Sequence, residues 1–269
     1  MYLFDAGNGV QRQLKKAGLS EAKIKGVFLT HHHLDHNADL GPLLMTHWTF
    51  YPGTLQVFGP EGTKHLADHI ALANSVTMLA GYPTGGVVKP DISETYEASD
   101  IAVNYEAETL VYEDSNIRVT AIKADHYQSK PSQSLEVMPV ALSYKIKTAE
   151  RTIVYTGDTG PSEALERFVS DADLLVTEIV NLQGIETQLT KFMGENGKKV
   201  IDGIVKGMAV NHITGDYIGK IASEGKVRSV VLTHFVPSPE AVSHPEEFAT
   251  SVMKNFKGNV SVAKDLQEF

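Results

Sequence analysis

Residues 30 to 36 read Thr30-His31-His32-His33-Leu34-Asp35-His36, at least four potential metal ligands within six residues, directly after the apolar run Ile24 to Leu29. Imidazole and carboxylate are the donors that zinc and its neighbours prefer, and a metal held on one side only lowers the pKa of a bound water toward neutrality. The tract is internal, so it is no terminal tag. It also sits where a strand gives way to a helix, a place where side chains can converge on one point. The chemistry implied is metal-dependent hydrolysis.

Three later segments end the same way. Ile122-Lys123-Ala124-Asp125-His126 follows the run Ile117 to Ile122, and Val230-Val231-Leu232-Thr233-His234 closes another. Between them, Ile153-Val154-Tyr155-Thr156-Gly157-Asp158-Thr159-Gly160 places an aspartate on a glycine-flanked turn just after a strand. Taken singly, His126 or His234 reads as a structural residue and Gly-Asp-Thr-Gly as an ordinary turn. Together with the first tract they read as one ligand set gathered from strand tips, where a rigid scaffold positions functional groups. His32, His47, His65, His69 and His244 read as surface residues; His65 and His69 have helical i, i+4 spacing but no third ligand beside them.

The elements that must carry these residues alternate along the whole chain. The patterns predict strands at Tyr2 to Phe4, Ile24 to Leu29, Leu55 to Phe58, Thr109 to Tyr112, Ile117 to Ile122, Val140 to Ile146, Thr152 to Tyr155, Leu174 to Val176, Ser229 to Leu232 and Val260 to Ala263. They predict helices at Val10 to Lys16, Ala38 to Phe50, Gly62 to Leu79, Ser162 to Val169, Lys198 to Met208, Gly215 to Ser223 and Pro239 to Asn255. Such mixing implies α/β sheets covered by helices. Turn signals stand at Gly59-Pro60-Glu61-Gly62 and Pro83-Thr84-Gly85-Gly86, and Ser129 to Pro139 reads as a loop. With no long linker, residues 1–269 read as a single domain.

The 24 Lys and Arg against 33 Asp and Glu leave a net charge of −9, and no Lys or Arg falls between Pro90 and Ile117. An acidic chain repels phosphate backbones unless a local patch compensates, so nucleic acid is not expected as a partner and a small molecule is. The absence of cysteine removes disulfides and thiolate ligands. No apolar run approaches the roughly 20 residues of a membrane span, so no membrane partner is expected. No signal peptide follows Met1, and the compartment stays open because a leader could precede it.

The motifs together resemble the metallo-β-lactamase superfamily, whose H-x-H-x-D-H signature matches His31, His33, Asp35 and His36. The branch most similar is that of ribonuclease Z and the arylsulfatase-like enzymes. The segment Leu3 to Leu14 resembles its aspartate-glycine stretch, and Gly157-Asp158-Thr159, Leu174-Leu175-Val176-Thr177-Glu178, Asn211-His212-Ile213-Thr214 and Leu232-Thr233-His234-Phe235 resemble its later motifs. The resemblance implies an αββα sandwich and two Zn2+ ions, with Mn2+ or Fe also compatible with the donors. One metal would take His31, His33 and His126, the other Asp35, His36 and His234, with Asp158 bridging. A bridging hydroxide would be the nucleophile, oriented by Asp35. Glu178 would pair with His212, which would act on the leaving group. Asp5 would either brace a ligand histidine or cap the helix that follows it.

Members of the branch begin with one or two further strands, so either the chain is shortened or its first sheet is small; a second copy could then cover the open edge. The stretch from His126 to Asp158, a separation of 32 positions, holds no basic, glycine-proline-rich arm of the kind that grips transfer RNA. The expected function is therefore hydrolysis of a small ester, a phosphodiester first, with lids from Tyr82 to Val88, Tyr127 to Met138 and Asn181 to Gly197. Apolar groups for the pocket would be Tyr82, Leu135, Met138, Leu189 and Phe192. Lactamase or lactonase action, a ribonuclease Z-type endonuclease, and a non-catalytic metal-binding protein are the alternatives.

Overall fold

Short apolar runs of β-branched and aromatic residues build two sheets in the computed structural model of the chain, which describes residues 1–80, 88–103, 107–127 and 139–269. Two compact units result, Met1–Ala102 with Asp265–Phe269, and Val103–Lys264.

The first unit runs β1 (Tyr2–Phe4), α1 (Val10–Lys16), β2 (Gly26–Phe28), α2 (Leu34–Asn37), α3 (Leu40–Phe50), β3 (Leu55–Gly59), α4 (Thr63–Ala73), α5 (Ser75–Ala80) and β4 (Tyr96–Asp100). Its sheet has the order β1-β2-β3-β4 with every neighbour parallel, so the strands are joined by helical crossovers. Val27, Leu29, Val57, Leu40, Leu43, Leu44 and Trp48 form its core. β1 is an edge strand, and its pairing with β2 sets Phe4 beside Phe28. Both chains therefore leave the sheet at the same level, Asp5 from one strand and Leu29-Thr30-His31 from the other.

The second unit runs β5 (Thr109–Glu113), β6 (Arg118–Ala124), β7 (Ala141–Lys147), β8 (Thr152–Tyr155), α6 (Glu163–Phe168), β9 (Leu174–Val180), α7 (Leu182–Met193), α8 (Lys198–Asn211), α9 (Gly215–Glu224), β10 (Ser229–Val236), α10 (Glu247–Met253) and β11 (Asn259–Val262). The sheet order is β11-β10-β9-β8-β7-β6-β5. β8 to β11 are mutually parallel, while β7 is antiparallel to both β6 and β8. β6, β8, β9 and β10 thus point the same way, and their C-terminal ends share one edge of the sheet. Leu175, Val230, Leu232, Ile218, Ile221, Phe248 and Val252 lie in the core under that sheet.

Three differences from the sequence reading have local causes. β4 was not expected, because Tyr96-Glu97-Ala98-Ser99-Asp100 is acidic and carries little apolar alternation; its pairing to β3 supplies the register that its composition does not. The helix expected over Gly62 to Leu79 is divided at Asn74, whose side-chain amide bonds to the Ile70 carbonyl at 2.8 Å. Asn181 to Gly197, read as a lid loop, is mostly α7, started by the Asn181 side chain accepting from the Gly184 N–H at 2.9 Å. Phe192, assigned to a pocket, is instead 90% exposed. The turn at 83–86 and the lids at 82–87 and 128–138, with Tyr82, Leu135 and Met138, lie outside the described residues.

α9 and α10 pack through glycine. A Cβ on Gly219 would lie 2.3 Å from the Val252 carbonyl oxygen, backbone that no side-chain rotation can move. Gly219→Ala is therefore expected to cost about 1–3 kcal/mol by overpacking, read from the midpoint shift in urea denaturation.

Candidate metal centre and its proton-donor pair

In the first unit the chain beyond β1 turns sharply at Asp5, which takes φ 61. Its N–H donates to the Phe28 carbonyl at 2.8 Å, and its carboxylate turns back over the end of β2. There Oδ1 accepts from the Thr30 N–H at 2.7 Å and Oδ2 accepts from His36 Nδ1 at 2.8 Å. The Thr30 hydroxyl lies 2.9 Å from Oδ2 and 3.0 Å from His31 Nδ1. Asp5 and Thr30 thus hold the Nδ1 sides of two adjacent histidines, whose ring centres are 4.0 Å apart. Of the two readings of Asp5, the brace on a histidine is the one found. The helix-capping role falls to Asp39, which accepts from the Gly9 N–H at 2.9 Å.

His33 stands at the start of α2, its Nδ1 3.0 Å from His31 Nε2. Asp35 is exposed, with a carboxylate oxygen 3.7 Å from His36 Nε2. His31 and His36 are buried. Close approach of the chain fixes this arrangement: a Cβ on Gly7 would sit 2.2 Å from the Asp35 carbonyl oxygen, and the Ala6 N–H donates to the His36 carbonyl at 2.8 Å. The expected set His31, His33, Asp35 and His36 is therefore assembled. His32 turns to α4, 3.3 Å from the Thr63 hydroxyl, and burial pushes its pKa down.

In the second unit the shared strand edge collects the rest. His126 follows β6, and its Nδ1 donates to the Asn211 carbonyl at 2.9 Å while Nε2 faces Asp158 Oδ2 at 3.9 Å. Asp158 follows β8 on a turn that Gly157 makes at φ 56. His234, near the end of β10, sits in a register irregularity between Leu232 and Phe235 with φ 42, and its Nδ1 is 3.4 Å from Asp158 Oδ1. A non-glycine residue in that region carries strain of about 1–2 kcal/mol, which a fold retains where it aims a side chain.

Glu178 on β9 is buried and places its two oxygens on different partners. Oε1 accepts from the Thr159 N–H at 2.6 Å, and Oε2 accepts from His212 Nδ1 at 2.5 Å. The His212 ring meets that of His126 edge-on at 4.9 Å. His212 is delivered by the end of α8, where the Val180 N–H bonds to the Ile213 carbonyl at 2.9 Å. His126, Asp158, His234, Glu178 and His212 are thereby brought together. The His65 and His69 rings lie tilted against each other on α4 with centres 3.9 Å apart, and His244 pairs with Glu246. His47, read as a surface residue, is buried on the inner side of α3 and bonded to the Gly53 carbonyl.

Within this unit, ligand atoms of His126, Asp158 and His212, and of Asp158, Glu178 and His234, lie within 4.8 Å of one another. Nitrogen and carboxylate oxygen in that density are the donor set of zinc and related divalent ions, so the residues fit the group. Sequence reasoning did not find Thr30, Asp39 or the Asn211 carbonyl. Thr30 was within reach, as the hydroxyl beside the first histidine; a backbone carbonyl leaves no residue signal.

Residues 1–235 match the family model described as beta-lactamase superfamily domain, and the chain belongs to that family. It is a hydrolase of the metallo-β-lactamase superfamily, similar to the ribonuclease Z branch. Ribonuclease Z of Mycobacterium marinum is 24% identical over 273 residues, covering 99% of this chain and 86% of the relative. Human tRNase Z, short form, shares the fold at a TM-score of 0.63 with 21% identity, over 99% of this chain and 86% of that one. Zn(2+)-bound PqqB from Methylobacterium extorquens does so at 0.62 with 16% identity, over 98% and 81%. The ribonuclease relatives overturn the expectation of a small-molecule ester partner in place of nucleic acid. That expectation rested on whole-chain charge and on the missing basic arm, whereas binding responds to the local field. No helix among the described residues is long and apolar enough to cross a membrane.

Asp5→Ala leaves His36 Nδ1 without its carboxylate. Loss of such a brace typically weakens metal binding by about 10- to 100-fold. Zinc competition against a chromogenic chelator measures it, and unchanged affinity would show that Asp5 serves the backbone alone.

Proposed function

We propose that the chain is an RNA phosphodiesterase of the ribonuclease Z type, in which His31, His33, Asp35, His36, His126, Asp158 and His234 hold two zinc ions. The observation carrying this reading is the buried Glu178–His212 pair at 2.5 Å beside Asp158 and His126. Such a pair is suited to a phosphodiester whose leaving oxygen needs a proton. RNA is supported as the substrate class by the ribonuclease relatives. Zinc, when bound, would polarise the phosphate and make a water nucleophilic at neutral pH.

The chain's own groups divide the remaining work. Glu178 accepts the Nδ1–H of His212, which fixes the ring and stabilises positive charge on it. The Nε2–H of His212 then passes to the leaving oxygen as the phosphorus–oxygen bond breaks. Products are a phosphate monoester and a hydroxyl end, and a proton from water restores His212. Thr159, through its N–H, holds the other Glu178 oxygen and keeps the carboxylate aimed. Asp35, exposed and 3.7 Å from His36 Nε2, would orient the attacking water.

Cleavage of a labelled transfer-RNA precursor by protein of known metal content tests the reading. Asp158→Ala is expected to lower metal content and rate together. His212→Ala should keep its metal and lose roughly 100- to 10,000-fold in rate on RNA. The loss should be much smaller on a 4-nitrophenyl phosphodiester, whose leaving group needs no proton. Equal losses on both substrates would remove His212 as the proton donor. Turnover of the activated ester with none on any RNA would overturn the RNA reading.

A further inference from the structure

Between residues 12 and 25 the chain places Arg12, Lys15, Lys16, Lys23 and Lys25 against the single acid Glu21, a local charge of +4 in a chain of −9. All five basic residues are exposed. Favourable charge at a helix C-terminus accounts for Lys15 and Lys16, which stand in the last turn of α1. It does not account for Arg12, Lys23 or Lys25.

The carboxylates around α1 are engaged by neutral donors. Glu21 accepts from the Gln11 amide at 2.8 Å, Asp39 accepts from the Gly9 N–H, and Asp265 accepts from the Gln13 amide. Arg12, Lys15, Lys16 and Lys23 make no ion pair with any of the described residues, so their charge is directed to solvent. The Arg12 guanidinium folds back over the turn that begins α1: a Cβ on Gly9 would lie 2.8 Å from Nη2. That turn is the one whose Gly7 abuts the Asp35 carbonyl and whose Ala6 bonds to His36. α1 spans roughly 10 Å at about 1.5 Å per residue, so its basic side chains start at the metal-binding segment of the first unit and lead away from it.

We propose that this basic strip, with Arg12 at its inner end, is the surface that holds the RNA backbone leading to the scissile phosphate. It rests on the RNA reading above and supplies the positive surface that the long basic arm would otherwise provide. Arg12 offers a planar fork matched to phosphate oxygens, and the lysines act as point charges along the strand. The Tyr2 ring lies under Lys25 Nζ at 6.0 Å, giving the strip an aromatic face at its outer end.

Filter binding of the same transfer-RNA precursor over a range of salt concentrations tests it. The compared proteins are wild type, a variant combining Arg12→Ala, Lys15→Ala, Lys16→Ala and Lys23→Ala, and a control combining Lys191→Ala, Lys198→Ala, Lys199→Ala and Lys206→Ala. Each variant loses four positive charges, and thermal midpoint and metal content verify the folds. The first variant should weaken binding at least tenfold at low salt and flatten the log K against log salt slope by roughly three. The control should lose less than one unit of slope. Equal effects in both variants, or none in the first, would overturn the strip while RNA cleavage by wild type would keep the ribonuclease reading. Absence of both RNA binding and RNA cleavage in wild type would remove the two together.

Discussion

An imidazole can present one nitrogen to a cation in a fixed direction only if the other nitrogen is held, and the structure of both units follows from that requirement. His36 is held by Asp5, His31 by the Thr30 hydroxyl, His126 by the Asn211 carbonyl and His212 by Glu178. Each holder is buried or part-buried, where an electrostatic hydrogen bond is stronger than in water and an unmade one costs more. The aspartate at φ 61 and the tight glycine at position 7 are consequences: the chain bends there so that one carboxylate can reach both Thr30 and His36. Changing the histidines would remove donors, while changing their holders would leave donors that point nowhere in particular.

Strand direction then does what local hydrogen bonds cannot. His126, Asp158, Glu178 and His234 come from segments separated by many residues, yet β6, β8, β9 and β10 share one direction because β7 runs against its two neighbours. Their C-terminal ends fall on one edge whatever the connecting loops do. The connections are consequently able to vary; the helices α7 and α8 are interposed between Glu178 and His212 and the pair still closes at 2.5 Å. Fixed strand tips with variable connections are the general solution by which one sheet supports many substrates.

The strand-tip histidines and aspartate were legible in the sequence because each pairs an apolar run with a polar terminus, a signal of strand and tip together. β1, β8 and α1 were legible to the residue for the same reason. β4 was not, since an acidic edge strand is defined by its partner, and neither was α7, whose start depends on an asparagine cap in a stretch of mixed polarity. The branch was recognisable from motif order, whereas the partner class was misjudged from a sum over all charges and from the missing basic arm. His47 was misplaced because a polar residue on a helix reads as solvent-facing until its acceptor, here a backbone carbonyl, is known.

That misjudgement has a physical root. Net charge governs solubility and long-range repulsion, but at physiological salt a phosphate is influenced mainly by charges within about 8 Å. A chain at −9 can therefore hold RNA if cations lie where the backbone must pass and the acids beside them are occupied elsewhere. Around α1 the acids are occupied by amides and the cations are not paired with them, an arrangement that composition averages away. Such a surface would be weak and salt-sensitive compared with a long basic arm. It would suit an enzyme that selects its substrate chiefly at the scissile phosphate and releases the product readily.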